Sequence, residues 1–283
     1  MNWQIFLLIS ILCESFGRIV QRILLKDNQN NPIAFAICSQ LLTGSLLLTV
    51  ALLIGFKWPE NLLSLAPNLI LMSIFYGYLN IFAFQALKYT EASVFTILFT
   101  SRALIIIILA VILLHEPFSL KQAAGTILIV FSIVLISLKK EKIQFKKGEL
   151  FSLLAAVAVA FGAINDTYIL KRVDVISYSP FGFLLSGLFI WLINPKLTKP
   201  AFNIIKGKDF PKVALIGMIF GGAYLTYNLA YSWGNNAAQI GAISPVASVL
   251  TVIWAIMFLK ERSKLLIKIL ASIVSFVGVL LVG

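Results

Sequence analysis

The chain has 283 residues, of which 60% are hydrophobic and only 12% are charged, and its mean hydropathy is +0.98. Soluble chains average about 25% charged residues. A soluble fold of this length has too little interior to bury so much apolar side chain. The composition therefore excludes a soluble globular protein and predicts an integral membrane protein.

Lysine and arginine outnumber aspartate and glutamate by 23 to 11, which gives a net charge of +12. A basic excess can indicate nucleic-acid binding, but most of these side chains lie in short segments between apolar runs, as they do beside membrane spans. We therefore expect no nucleic-acid partner. The two cysteines and the single histidine form no CxxC or Cys/His pattern, so the sequence predicts no disulfide framework, no metal site and no cofactor.

Ten apolar runs follow one another along the chain, each near the length of about 20 residues that a helix needs to cross a bilayer. Strands of membrane barrels are shorter, about 9–11 residues, and alternate in polarity, so these runs predict helices. The short connections leave no room for a soluble domain. The predicted spans are 3–25, 32–55, 68–88, 92–114, 119–138, 149–170, 176–194, 212–233, 237–259 and 265–282.

Glycine, proline and charged residues of the first half of the chain recur in the second half at an offset of about 145 residues. The matched pairs are Gly17 and Gly162, Lys26 and Lys171, Pro67 and Pro211, Gly77 and Gly221, and Glu116 and Glu261. One offset kept across four helices predicts two repeats of five helices, at residues 1–140 and 147–283. In this alignment Pro67 opens the third span, as Pro211 opens the eighth.

An odd number of spans in each repeat decides their relative orientation. A chain that crosses five times begins its second copy on the opposite side of the membrane, so the copies have inverted topology. The predicted fold is an all-α integral membrane protein with ten transmembrane helices in two inverted-topology five-helix repeats. Inverted repeats recur in secondary transporters, which hold their substrate near the midplane and work by alternating access.

The ends of the two halves carry similar motifs. The first half ends its fourth span with AVILLHEP at 110–117, the second ends its ninth with AIMFLKER at 255–262, and Ser244-Pro245-Val246 stands inside the ninth span. On these features the chain resembles the drug/metabolite transporter superfamily, EamA type, over essentially its full length. The resemblance implies a carrier of amino acids, drugs or other metabolites, with a helix kink at Pro245. The first half departs from the pattern, because Thr100-Ser101-Arg102 aligns with that proline.

Charged residues inside the spans indicate the site. A mid-bilayer charge costs about 2.5–3.5 kcal/mol, so it usually faces a cavity or a partner. Glu14, Arg18 and Arg22 share one helix face at i, i+4 and i+8, Arg102 lies mid-span and Asp166 lies in the last third of the sixth span. We expect a polar cavity whose arginines attract an anionic group while Glu14 or Asp166 binds a coupled proton. The alternative is a Glu14–Arg18 pair that neutralises itself, with Arg22 extending to the interface.

Polar and aromatic residues of the third and eighth spans extend this predicted substrate pathway. They are Tyr76, Asn80, Tyr224, Tyr227 and Asn228. Rings and amides together suit an amphipathic organic solute, although aromatic residues also occur routinely at membrane interfaces.

The sequence favours a secondary transporter of an amino acid or similar metabolite, working in efflux in the plasma (inner) membrane of a bacterium. Its expected partners are the lipid bilayer, the small-molecule substrate and protons. An exchanger of organic anions or phosphorylated metabolites is the alternative within transport. An intramembrane enzyme would need a nucleophile beside a base or several metal ligands, so we expect no enzymatic activity; a pore or scaffold is a further alternative. Sixteen basic residues follow odd-numbered spans and four follow even-numbered ones, which predicts that both termini face outward.

Overall fold

The structure, a computed structural model, describes residues 3–26, 31–59, 62–114, 119–139, 142–143, 146–234, 243 and 246–282. Helices account for nearly all of this, with a 3₁₀ turn at Pro195–Leu197 and a pair of two-residue strands, β1 (Leu138–Lys139) and β2 (Lys142–Ile143), in the connection between the halves. The helices are α1 (Trp3–Lys26), α2 (Pro32–Ile54), α3 (Leu62–Tyr89), α4 (Ala92–Phe99), α5 (Ser101–Leu114), α6 (Leu120–Ser137), α7 (Lys147–Ile169), α8 (Val175–Ile193), α9 (Thr198–Lys206), α10 (Phe210–Gly234), α11 (Val246–Phe258) and α12 (Leu265–Val282).

Membrane-spanning helices are confirmed as the building element of the fold. Within the described residues, seven helical segments are long and apolar enough to cross a bilayer, with α4 and α5 together forming one of them. Three further apolar helices, Leu120–Ile136, Val246–Phe258 and Leu265–Leu281, are shorter. The chain is an integral multi-pass membrane protein, and the total of ten spans stays a prediction.

The third span begins earlier than expected. Helix α3 starts at Leu62 and carries Pro67 inside it, so the prediction that Pro67 opens this span was wrong. A proline lacks the N–H that would bond four residues back, so Pro67, the sixth residue of α3, leaves the carbonyl of Leu63 without that helix bond. Leu63 is the second residue of α3 and is 90% exposed.

The fourth span is broken at Thr100, between α4 and α5. The Thr100 hydroxyl donates to the carbonyl of Ile97 at 2.6 Å, and the Ser101 hydroxyl donates to the carbonyl of Leu98 at 2.8 Å. Side-chain hydroxyls that bond back to the helix backbone compete with its own hydrogen bonds and bend it. Two adjacent hydroxyls therefore break the fourth span, where a proline would otherwise interrupt a helix. Pro245, the expected kink of the second half, lies outside the described residues.

The helices pack mainly across the two halves of the chain. The most extensive contacts are α3 with α7, α1 with α10, α2 with α8, and α6 with α12. The pattern follows the repeat. The helix about 145 residues after α1 is α7 and the one after α3 is α10, so the contact of α1 with α10 corresponds to that of α7 with α3. Small residues allow the close approach: a Cβ at Gly217 would lie 3.1 Å from the Thr43 hydroxyl of α2, and one at Gly77 would overlap the Phe189 ring of α8.

A buried carboxylate joins the halves at the start of α4. Glu261, which follows α11, accepts hydrogen bonds from the backbone N–H of Ala92 at 2.8 Å, the backbone N–H of Ser93 at 3.1 Å and the Ser93 hydroxyl at 2.6 Å. A carboxylate placed there satisfies N–H groups that lack partners within the helix and complements the helix dipole. Beside it, Lys268 is 1% exposed and forms an ion pair with Glu91.

Candidate functional site

A cavity of about 400 Å³ lies between the two halves. Helices α1, α2, α3 and α5 contribute its walls from the first half, and α7, α8 and α10 contribute them from the second. The lining residues are Ser10, Glu14, Arg18, Gln21, Ser39, Gln40, Thr43, Tyr76, Leu79, Asn80, Phe84, Arg102, Asp166, Tyr178, Gly182, Phe183, Phe220, Ala223, Tyr224 and Tyr227. Its volume falls within the range of pockets that hold small organic molecules.

Most of the residues singled out from the sequence meet in this cavity. Eight line it: Glu14, Arg18, Arg102, Asp166, Tyr76, Asn80, Tyr224 and Tyr227. Asn228 is not among the lining residues, and its Nδ2 atom is buried. It lies one helical turn after Tyr224 and therefore on the same face of α10, and its place in the substrate pathway stays a prediction.

Arg18 and Arg102 form the positive end of the site and share an aromatic ring. The guanidinium carbon of Arg102 lies 4.6 Å from the centroid of Phe99, and that of Arg18 lies 5.7 Å from the same centroid. Arg18 also lies 5.1 Å from the Phe220 ring. Stacking of this kind holds a guanidinium in place by a cation–π interaction while its N–H groups stay available to a ligand.

No salt bridge joins Glu14 to Arg18 in the described part of the chain. Arg18 instead donates a hydrogen bond of 3.3 Å to the side-chain oxygen of Gln21. The two charges, both on described residues, lie one helical turn apart without a salt bridge, and a Glu14–Arg18 pair that neutralises itself stays an alternative prediction. Both side chains are half-buried on the cavity wall.

Arg22 is separate from the site. It is 8% exposed, and its guanidinium donates to the carbonyls of Leu87, at 2.5 Å, and Lys88, at 2.9 Å, at the end of α3. A cation at the C-terminus of a helix satisfies carbonyls that lack partners and complements the helix dipole. Arg22 is thus not among the residues that line the cavity, and its guanidinium lies at the end of the membrane-spanning helix α3.

Asp166 forms the second charged end of the site and is held by two tyrosines. Tyr76 of α3 donates to one carboxylate oxygen and Tyr178 of α8 to the other, both at 2.5 Å. Gly162, one turn before Asp166 on α7, makes this possible, because a Cβ there would lie 3.1 Å from the Tyr76 ring. Three helices thus converge on one carboxylate.

A chain of amides connects the walls of the cavity. The Gln40 amide of α2 donates to the Asn80 side chain at 2.9 Å, and Asn80 donates to the carbonyl of Tyr76 at 2.7 Å. The Ser186 hydroxyl of α8 donates to the Gln40 oxygen at 3.1 Å. These bonds satisfy the buried amides, and they orient Asn80 beside the tyrosine that binds Asp166.

Sequence reasoning missed the neutral polar part of the lining, which comprises Ser10, Gln21, Ser39, Gln40, Thr43 and Tyr178. One signal was available, because Gln40 and Thr43 lie near the middle of a charge-free apolar run. Serine and threonine can bond to their own helix backbone, so their presence in a span points to no particular role. Tyr178 lies close to a helix start, where tyrosine is common for interfacial reasons.

A sequence model of the EamA-like transporter family matches the chain twice, over residues 1–138 and 146–283. The two matches together cover nearly the whole sequence. The chain belongs to the EamA-like transporter family. Members of this family are membrane transporters of small solutes, which is consistent with a multi-pass protein in a lipid bilayer.

A solved structure has a similar fold. A solved structure titled only "Crystal structure of protein" has a TM-score of 0.66 and 16% sequence identity, covering 99% of this chain and 95% of its own. At that identity the likeness shows the fold alone. A comparison with curated proteins gives no match. Within the described residues, no group of three or more His, Cys, Asp and Glu side chains is placed to hold a metal ion.

Proposed function

We propose that this EamA-like protein is a secondary transporter that exports a small organic solute, an amino acid or similar metabolite, by alternating access. The observation that carries the proposal is the cavity that both halves line and that contains two arginines and two carboxylates. Charges at this depth are costly and are retained for substrate or ion pathways. The proposed location is the plasma (inner) membrane of a bacterium.

The substrate's anionic group would bind at Arg18 and Arg102. Two guanidinium groups lie against one ring, and among the described residues no carboxylate is within salt-bridge distance of either, so their N–H donors can bind an anionic group. Arginine binds carboxylate and phosphate through paired N–H donors. The rings of Phe84, Phe183 and Tyr224 in the same cavity would cover the apolar part of the solute.

Alternating access would arise from two inverted-topology repeats, residues 1–140 and 147–283. Support comes from the packing pattern, in which α1 with α10 corresponds to α7 with α3. Two such halves can exchange conformations, which closes the cavity on one side and opens it on the other. The helix break at Thr100 would let α4 and α5 move separately.

Glu14 and Asp166 are the proposed carriers of a coupled proton. With both ionised, the four charged side chains of the cavity sum to zero, and protonation of either carboxylate leaves one net positive charge. Binding of an anionic group would then be favoured by protonation, and release by its loss. This balance links solute and proton in the same cavity.

Exchange of an organic anion or a phosphorylated metabolite is the second candidate function. The specific observation in its favour is the shared Phe99 ring of Arg18 and Arg102, which places two cations side by side. Phosphate would use both guanidinium groups at once. A zwitterionic amino acid would use the arginines and one carboxylate of the same cavity.

Counterflow in proteoliposomes tests both functions. The protein would be reconstituted and assayed against amino acids, organic anions and sugar phosphates, with and without a pH gradient. We expect saturable exchange of one class, and we expect Arg102→Ala to lower it about tenfold or more, since a charge-assisted hydrogen bond contributes about 1.5–3 kcal/mol.

The matched control for that variant is Arg172→Ala, which removes an exposed arginine just after α7 and should leave exchange intact. Unsaturable flux would indicate a pore and contradict the proposal. Turnover of a lipid-linked substrate in detergent would indicate an intramembrane enzyme.

A further inference from the structure

The connection between α8 and α10 contains a short amphipathic helix, α9, which no part of the transport mechanism uses. Its Ala201 and Ile204 are buried, whereas Phe202 and Ile205 are exposed. The helix packs on α2, where the Cys38 thiol donates to the carbonyl of Ala201 at 3.3 Å. Because α2 and α10 both span the membrane, α9 lies at one surface of the bilayer with apolar side chains turned outward.

The same connection is strongly basic. Residues 195–212, which extend into the first turn of α10, contain five exposed lysines and a single aspartate. Asp209 pairs with Lys212 at 3.1 Å, and the Lys206 ammonium lies 4.4 Å from the centroid of the Phe202 ring. Exposed rings beside lysines are typical of helices that lie in the headgroup region of a membrane.

An apolar groove of about 190 Å³ lies between this helix and helices α2 and α10. Leu41 and Leu42 of α2 form one wall, Ile205 of α9 forms another, and Phe210 stands at the start of α10. The one hydroxyl on its wall, that of Ser45, is bonded to the carbonyl of Leu41 at 2.8 Å. The groove therefore offers hydrocarbon contacts and no free hydrogen-bonding partner.

We propose that the groove and the lysines beside it form a binding site for one anionic phospholipid. An acyl chain fills the groove between α2, α9 and α10, and the phosphate lies on Lys206 and Lys208, which flank the end of α9 next to Phe210. Charge complementarity selects an anionic headgroup. A water-soluble phosphate would use the lysines alone and leave the groove empty.

The helix is also anchored at headgroup level by an aromatic side chain. The Trp191 indole, 40% exposed near the end of α8, donates to the Thr198 hydroxyl at the start of α9 at 2.9 Å. Tryptophan concentrates at the membrane–water interface because its ring is amphipathic. This contact places the lysines of α9 at the depth of lipid phosphates.

Native mass spectrometry of the full chain tests the site. The protein in detergent would be titrated with phosphatidylglycerol or phosphatidylcholine carrying identical acyl chains. We expect one tightly retained phosphatidylglycerol, and we expect Lys206→Gln/Lys208→Gln to weaken its retention about tenfold. The control, Lys171→Gln/Arg172→Gln, removes two exposed charges after α7 and should have no effect.

A second variant tests the groove with the lysines intact. Ile205→Trp places a larger ring in the groove from a half-exposed position, and it should abolish retention while the apparent melting temperature is unchanged. Equal retention of the two lipids, or phosphatidylglycerol binding that survives both variants, would overturn the proposal. Displacement of the lipid by glycerol 3-phosphate would overturn it too, because it would indicate a site for free anions.

Discussion

Tyr76 of α3 donates a 2.5 Å hydrogen bond to Asp166 of α7 and thereby joins the two halves of the protein inside the cavity. Tyr178 of α8 donates to the other oxygen of the same carboxylate. Each donor lies on a helix that packs against the opposite half, since α3 packs on α7 and α8 packs on α2. The contact between α3 and α7 is the most extensive in the fold. A change in the charge of Asp166 would therefore act directly on the packing between the halves.

Neutralising Asp166 should separate proton coupling from exchange. Asp166→Asn keeps an oxygen that accepts from one tyrosine but can no longer take up or release a proton. We expect counterflow to persist while net flux no longer responds to an imposed pH gradient, measured in the same proteoliposomes. Asp174→Asn is the matched control, since Asp174 caps α8 through the backbone N–H of Ser177 and asparagine caps helices equally well. Loss of gradient response in the control, or its survival in Asp166→Asn and in Glu14→Gln, would remove these carboxylates from the coupling.

Removing the Tyr76 hydroxyl should loosen the junction between the halves. Tyr76→Phe leaves one carboxylate oxygen of Asp166 without its donor, and a hydrogen bond to a charged group contributes about 1.5–3 kcal/mol to stability. We expect a lower apparent melting temperature in detergent. Tyr78→Phe, on the same helix but 41% exposed and in contact with the Phe189 ring, should melt like the unmodified protein. Equal melting of both variants would contradict a structural role for the Tyr76 bond.

The charged part of the site was predictable because charge inside a membrane is costly. Glu14, Arg18, Arg102 and Asp166 stand out in apolar spans, and the structure places all four on one cavity. Their partners were not predictable in the same way. That Tyr178, twelve residues after Asp166, binds its carboxylate depends on how α8 returns against α7, and no local pattern specifies this.

The length of the apolar runs predicted where most helices lie. It did not predict the break within the fourth span or the short helix α9. The break at Thr100 needs two hydroxyls to bond backward together, whereas either alone is common in an unbroken helix. Helix α9 has nine residues with lysines near both ends, so it lacks the length and the sustained apolar pattern by which a span is recognised. Its residues Ala201 and Ile204 are buried because α9 packs on α2, and the sequence does not specify that contact.

The break at Thr100 should be needed for stability and for exchange. Thr100→Val keeps the side-chain shape but removes the hydroxyl that bonds the carbonyl of Ile97 and, at 2.5 Å, the hydroxyl of Ser275 on α12. Ser275 is 1% exposed, so losing its partner should cost about 1–3 kcal/mol. We expect a lower melting temperature and slower counterflow, because Arg102 follows the break by two residues.

The control for that substitution is Thr167→Val. Thr167 makes the same local bond, to the carbonyl of Ile164 at 2.7 Å, but its side chain is exposed and contacts no other helix through that bond. It should leave both measurements unchanged. A Thr100→Val protein with unaltered melting and exchange would show that the backbone break does not depend on this hydroxyl.

Glu261 should rank among the most sensitive positions for stability although it lies outside the cavity. It is 7% exposed and accepts from three donors at the start of α4. Glu261→Ala leaves those donors buried without a partner, which should cost about 3 kcal/mol or more. Glu261→Gln keeps one accepting oxygen but places an NH2 group against the donors of the other oxygen, so it should cost about 1–3 kcal/mol. Melting temperatures in detergent should therefore fall in the order unmodified, Gln, Ala, with the exposed neighbour change Arg262→Ala at the unmodified value. If Glu261→Ala and Arg262→Ala melted alike, the carboxylate would not be what holds α4 against the second half.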